Sequence, residues 1–200
     1  MRSLFVLPLV AILLLIPGSN GCIHSGAGKS NVTKVECREN KSVVLEKIPG
    51  NIVVSSRCGD YSFKKESITK AVEIFVLEFS ESFEIDEAIL WVYLHGLKID
   101  VSVIPKVVNA AYSVDGKLLE NGNVSVSGLA FGPKHIWVEI KTSQIWSSSL
   151  IHELVHVVIW NQNVGVHGDP DHEGKQYSGW TKNHTKLIKK INNILLDIEI

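Results

Sequence analysis

The 200-residue chain carries 20 basic and 21 acidic residues, a formal charge of −1. That balance supplies no basic field, so no nucleic-acid partner is expected, and no acidic block suggests a solvating tail. An apolar content of 45% with 8% aromatics excludes wholesale disorder and suits one ordinary globular core.

The chain opens with Arg2, an apolar run from Leu4 to Ile16, and a small polar stretch ending at Cys22. This is the order of a secretory signal over residues 1–21, and the run is short for a membrane-spanning helix. The "SNGC" ending resembles the lipobox of bacterial lipoproteins, although Ser19 stands where that pattern usually has Leu. The resemblance implies lipidation of Cys22 as the mature N-terminus and a membrane-anchored protein of the cell envelope. An ordinary signal peptide cut nearby, giving a secreted protein, is the alternative. Residues 22–34 are polar and Gly/Ser-rich, which predicts a flexible tether, and residues 35–200 then form a single domain. Outside the cytoplasm the two remaining cysteines, Cys37 and Cys58, predict a disulfide. No CxxC pair exists to make a cysteine zinc site.

Within the domain "NIVVSS" reads as a short strand. Ser67 to Phe83 carries Ile68, Val72, Phe75, Val76 and Phe79 at helical spacing. "EAILWVYLHG" fits helix or strand, "KIDVSVIP" alternates as a strand ending at Pro105, and "NVSVSGLAFG" and "HIWVEIK" are further strands. "SSSLIHELVHVVIW" is long and apolar enough for a buried helix opened by serines that can cap it. Thr181 to Leu196 places Leu187, Ile188, Ile191, Ile194 and Leu195 on one face, an amphipathic C-terminal helix. The fold class is α+β.

The buried helix poses a chemical problem. His152, Glu153 and His156 are ionisable groups in an otherwise apolar run, and burying them without partners costs several kcal/mol. Four residues apart, the two histidines share one helix face, so both imidazoles can bind one ion. Glu153 lies roughly 100° around the helix, where it reaches a metal-bound water without being a ligand. This HExxH arrangement provides two Zn²⁺ ligands and a general base. The alternative, two hydrogen-bonded core histidines, leaves Glu153 without a local task, because a capping box would need Ser or Thr where Leu150 stands.

A catalytic zinc takes three protein ligands and keeps one position open. "NVGVHGDPDHEGKQYSGW", the Gly/Pro/Asp-rich stretch after the helix, offers His167, Asp169, Asp171, His172 and Glu173. His172 is the favoured third ligand over His167, because Asp171 and Glu173 flank it and can orient its ring.

"HELVH" after the strand-like "KHIWVEI" resembles the zincin metallopeptidases over roughly residues 134–180. The resemblance implies a small domain in which a sheet-edge strand pairs with extended substrate and is followed by the active-site helix. It also implies that Tyr177 or His184 can assist at the oxyanion. The chain departs from the longer HExxHxxGxxH pattern, with Ile159 and Gln162 at its Gly and last His positions, and its one methionine is Met1. The expected function is hydrolysis of a peptide or protein substrate, with Glu153 as general base on a zinc-bound water. The competing reading is a non-catalytic envelope lipoprotein with a structural zinc site and a protein or cell-wall partner.

Mass spectrometry of the mature native protein should find an acylated Cys22 at the N-terminus. Thiol titration after denaturation without reductant should find neither Cys37 nor Cys58 free. An intact Met1 start contradicts the first expectation, and two reactive thiols the second.

Overall fold

A computed structural model describes residues 40–45, 48–57, 65–102, 106–109, 123–139, 149–162, 172 and 179–198. In chain order these form β1 (Asn40–Val44), β2 (Val53–Arg57), α1 (Lys65–Phe83), α2 (Glu87–Leu94), β3 (Lys98–Ser102), β4 (Lys106–Asn109), β5 (Asn123–Val126), β6 (Gly128–Gly132), β7 (His135–Glu139), α3 (Leu150–Asn161) and α4 (Lys182–Asp197). The fold is α+β. The signal, the tether, Cys22, Cys37 and Cys58 lie outside the described residues. Among the described residues no helix is long and apolar enough to cross a membrane.

Five strands form a mixed sheet in the order β1-β2-β3-β7-β6. The three central strands, β2, β3 and β7, run parallel, while β1 and β6 flank them antiparallel. Parallel neighbours need a crossover, and α1 with α2 supplies the one between β2 and β3. β4 and β5 pair separately as an antiparallel ribbon. Val54, Ile99, Val101, Ile136 and Val138 join residues of all four helices in one apolar core. Each such side chain, fully buried, contributes roughly 1.5–3 kcal/mol over its exposed state.

Local chemistry sets the helix ends. Asp86 caps α2 by accepting the Ala88 N–H at 2.7 Å. At the other end, Lys134 Nζ donates to the carbonyls of Tyr93, at 2.8 Å, and Val92, at 3.3 Å. A cation is favoured there because the last carbonyls carry partial negative charge. Gly96, at φ +71, then turns the chain into β3.

The expected helices are present, and "EAILWVYL" resolves as helix α2, whereas "NVSVSGLAFG", expected as one strand, divides at Ser127 into β5 and β6, which lie in different sheets. β1 and β4 are additions that the sequence pattern does not announce. The strand "HIWVE" is not the sheet edge. β7 lies between β3 and β6, so the edge strand is β6 and the strand leading toward α3 is internal. The reason is burial on both sides, because Ile136, Trp137, Val138 and Glu139 are all buried. β6, with two glycines and an exposed Phe131, suits an edge. The expected serine cap is absent too, since Ser149 is the N-cap of α3 but makes no side-chain capping bond.

α4 packs on α1 and α3 through the buried Leu187, Ile191 and Leu195, and Lys190 of α4 pairs with Glu78 of α1. His184, a candidate for the oxyanion, is buried at 5% exposure. Its ring stacks on Phe83 at 4.2 Å and touches Phe79 and Trp180. Its Nδ1 accepts the Thr181 N–H at 2.9 Å, the role a Glu or Gln usually takes in a capping box.

Burial lowers the His184 pKa from 6.5 to about 4. The unfolded chain therefore binds this proton more readily than the folded one. The stability contribution is intact above pH 6.5 and is lost as pH falls toward 4. In His184→Gln the cap survives without the titration, so its denaturation midpoint should fall less steeply over that range. Parallel curves for the two proteins would contradict this.

Candidate metal centre

α3 is an unusual helix. Val155, Val157, Val158 and Ile159 are β-branched and intrinsically poor helix formers. Packing rather than propensity holds the helix, because nine of its twelve residues are buried. It lies on β6 and β7 and also meets α1, α2 and α4. At its C-terminal end Asn161 Nδ2 donates to Val157 O at 2.8 Å and to Pro133 O at 3.0 Å, tying the helix to the β6–β7 turn.

Two of the buried residues are Glu153 and His156, both at 0% exposure, and His152 is half-buried one turn before His156. The Nε2 atoms of His152 and His156 stand 3.1 Å apart. His172 joins them, with its Nε2 3.1 Å from that of His152 and 2.8 Å from that of His156. The ring centroids are 4.8–4.9 Å apart, so the three Nε2 atoms are the inner corners of converging rings. His172 reaches this position with its backbone at φ +39, in the left-handed region.

The donor set fits a zinc ion. A neutral imidazole nitrogen either donates or accepts, and its bond must be nearly linear. Three nitrogens in a triangle cannot all satisfy one another in that way, whereas one cation satisfies three lone pairs at once. Nitrogens around a tetrahedral zinc, with bonds of ~2.0–2.1 Å, stand about 3.3 Å apart, close to the observed triangle. Among the described residues these three form the one His/Cys/Asp/Glu group of this kind, with ligand atoms within 4.8 Å of one another. Glu153 is not part of that group.

Trp180 closes one face of the trio. Its ring centroid lies 4.8, 4.6 and 4.6 Å from those of His152, His156 and His172, so the indole sits over their common centre. It is 4% exposed, and its Nε1 donates to Thr185 Oγ1 at 3.1 Å. An additional ligand must approach from the face away from the indole. Spacing along the chain does not single out Trp180; its place just before the Thr181 cap of α4 is the one local hint.

The structure therefore brings together His152, His156 and His172 and keeps Glu153 buried on the same helix. It places His184 against Trp180, Phe79 and Phe83. His167, Asp169, Asp171, Glu173 and Tyr177 lie outside the described residues. Comparison with protein-family models, curated proteins and solved structures returned no match.

Zinc bound by the native state alone, at a free concentration a thousandfold above its dissociation constant, stabilises by about 4 kcal/mol. For a chain of this size each kcal/mol moves the midpoint by roughly 2–4 °C. Chelation should therefore lower the thermal midpoint by several degrees, and His172→Ala should abolish the response. An undiminished zinc response in His172→Ala would remove His172 from the ligand set.

Proposed function

We propose that the chain is a zinc-dependent peptide-bond hydrolase of zincin type, with His152, His156 and His172 holding the ion and Glu153 acting as general base. The observation that carries this reading is the convergence of three Nε2 atoms within 3.1 Å of one another, with a buried carboxyl on the helix that supplies two of them. When bound, zinc supplies Lewis acidity, which polarises a scissile carbonyl and makes water a better proton donor.

The remaining tasks fall to the chain. Glu153 accepts the proton of the attacking water and returns it to the leaving amine. Its place on α3, next to His152 but outside the ligand trio, suits a base better than a ligand. Trp180 excludes water from one face, which leaves the opposite face for the substrate. β6 pairs with β7 on one side, and its other edge is the one we assign to an extended peptide or protein substrate. The lipid anchor expected at Cys22 places this activity in the cell envelope.

Glu153→Gln keeps the shape of the side chain but cannot take a proton. It should retain about one zinc per chain and lose roughly 10²–10⁴-fold in peptidase rate, whereas His156→Ala should lose the zinc itself. A Glu153→Gln protein as active as the wild type on a peptide it cleaves would refute the reading.

A further inference from the structure

We propose that Gly128 is a positioning residue for Glu153: the β6 backbone at this point is the surface against which the carboxylate is aimed. The inference rests on the general-base reading above and concerns what holds the base in place.

Gly128 is buried and pairs with Val138 across β6 and β7. Its φ lies outside the left-handed region, so its torsions alone do not demand glycine. Space does. A Cβ at this position would collide with Glu153 Oε1, and would lie 2.9 Å from Glu153 Cδ and 2.8 Å from Ser149 Cβ. Ordinary contacts between carbon atoms are about 3.5–4.0 Å. Gly132, on the same strand, is the contrast, because a Cβ there would meet nothing within 4 Å.

The backbone on either side of this contact is fixed. Glu153 is fully buried on α3, and its N–H bonds to Ser149 O at 3.0 Å, so moving Ser149 disturbs the first turn of the helix. β6 is held in register by β7. The turn that follows is tied twice, by Lys134 Nζ to Tyr93 O and by Asn161 Nδ2 to Pro133 O. A methyl group at position 128 would therefore be relieved mainly by rotating the Glu153 carboxyl away. Misplacing a reacting group by about 1 Å can cost on the order of 10²-fold in rate. One strand then serves two ends, aiming the base and offering its outer edge to the substrate.

The test is a pair of double-mutant cycles in the full-length, zinc-loaded protein. Gly128→Ala should retain about one zinc per chain and an unchanged KM, with kcat lowered about 10²-fold. Added to Glu153→Gln, it should lower kcat no further, a non-additivity that general loosening of the fold would not produce. The second cycle needs no activity. Gly128→Ala should lower the thermal midpoint by several degrees, but by less than half as much in a Glu153→Ala background, where the obstructed carboxyl is gone. Gly132→Ala should leave the midpoint unchanged. Should Gly128→Ala fail to fold, the Gly128→Ala/Glu153→Ala protein should still fold; its failure would overturn the proposal. Additive midpoints with an inactive Glu153→Gln would overturn the role of Gly128 and leave the general base standing. Coupled midpoints with a fully active Glu153→Gln would overturn the general base, and the positioning role with it.

Discussion

A carboxyl and an imidazole at 0% exposure on one apolar helix form the constraint on which the rest of this structure depends. Isolated in a core, such groups cost several kcal/mol each. α3 cannot turn them outward, because its remaining residues are almost all apolar and packed on β6, β7 and three helices. His152 and His172 therefore meet His156 at a common point, where one cation would satisfy all three. The left-handed backbone at His172, a conformation that costs on the order of 1–3 kcal/mol, persists where its surroundings fix it.

Support for this point comes from distant parts of the chain. Trp180 lies against all three imidazoles and is anchored through Thr185 of α4. Behind it His184 stacks on Phe83, which stacks on Phe79, which touches Phe75. An aromatic path thus runs from the trio into α1, and the amphipathic face of α4 holds it in place. On the sheet side, Lys134 and Asn161 fix the β6–β7 turn against α2 and α3. Both supports meet at α3, the first beside the three imidazoles and the second beside Glu153.

Much of this was legible in the sequence because it is local. The four-residue spacing of His152 and His156 states a shared helix face, and the length of the apolar run distinguishes helix from strand. His172 followed from the chemistry of its Asp171 and Glu173 flanks. What escaped depends on contacts between distant residues. Strand order is one case, since nothing within "HIWVE" says that β6 pairs beyond it. β1 and β4 are short and half polar, so pairing more than propensity makes them strands. The closeness of Trp180 to the imidazoles and of Gly128 to Glu153 shows only once the atoms beside them are placed. His184 lies three residues before Leu187 and seven before Ile191, on the buried face, but its polar ring hides this until Thr181 and Phe83 are seen beside it.

In the proposed centre three imidazoles, and no other protein group, hold one zinc with a position left for solvent or substrate. X-ray absorption at the zinc edge of the loaded full-length protein measures this directly. The spectrum should show a shell of about four nitrogen and oxygen neighbours at ~2.0–2.1 Å, with the multiple scattering of three imidazoles and no sulfur. A zinc–sulfur distance of ~2.3 Å or a fourth imidazole would contradict it.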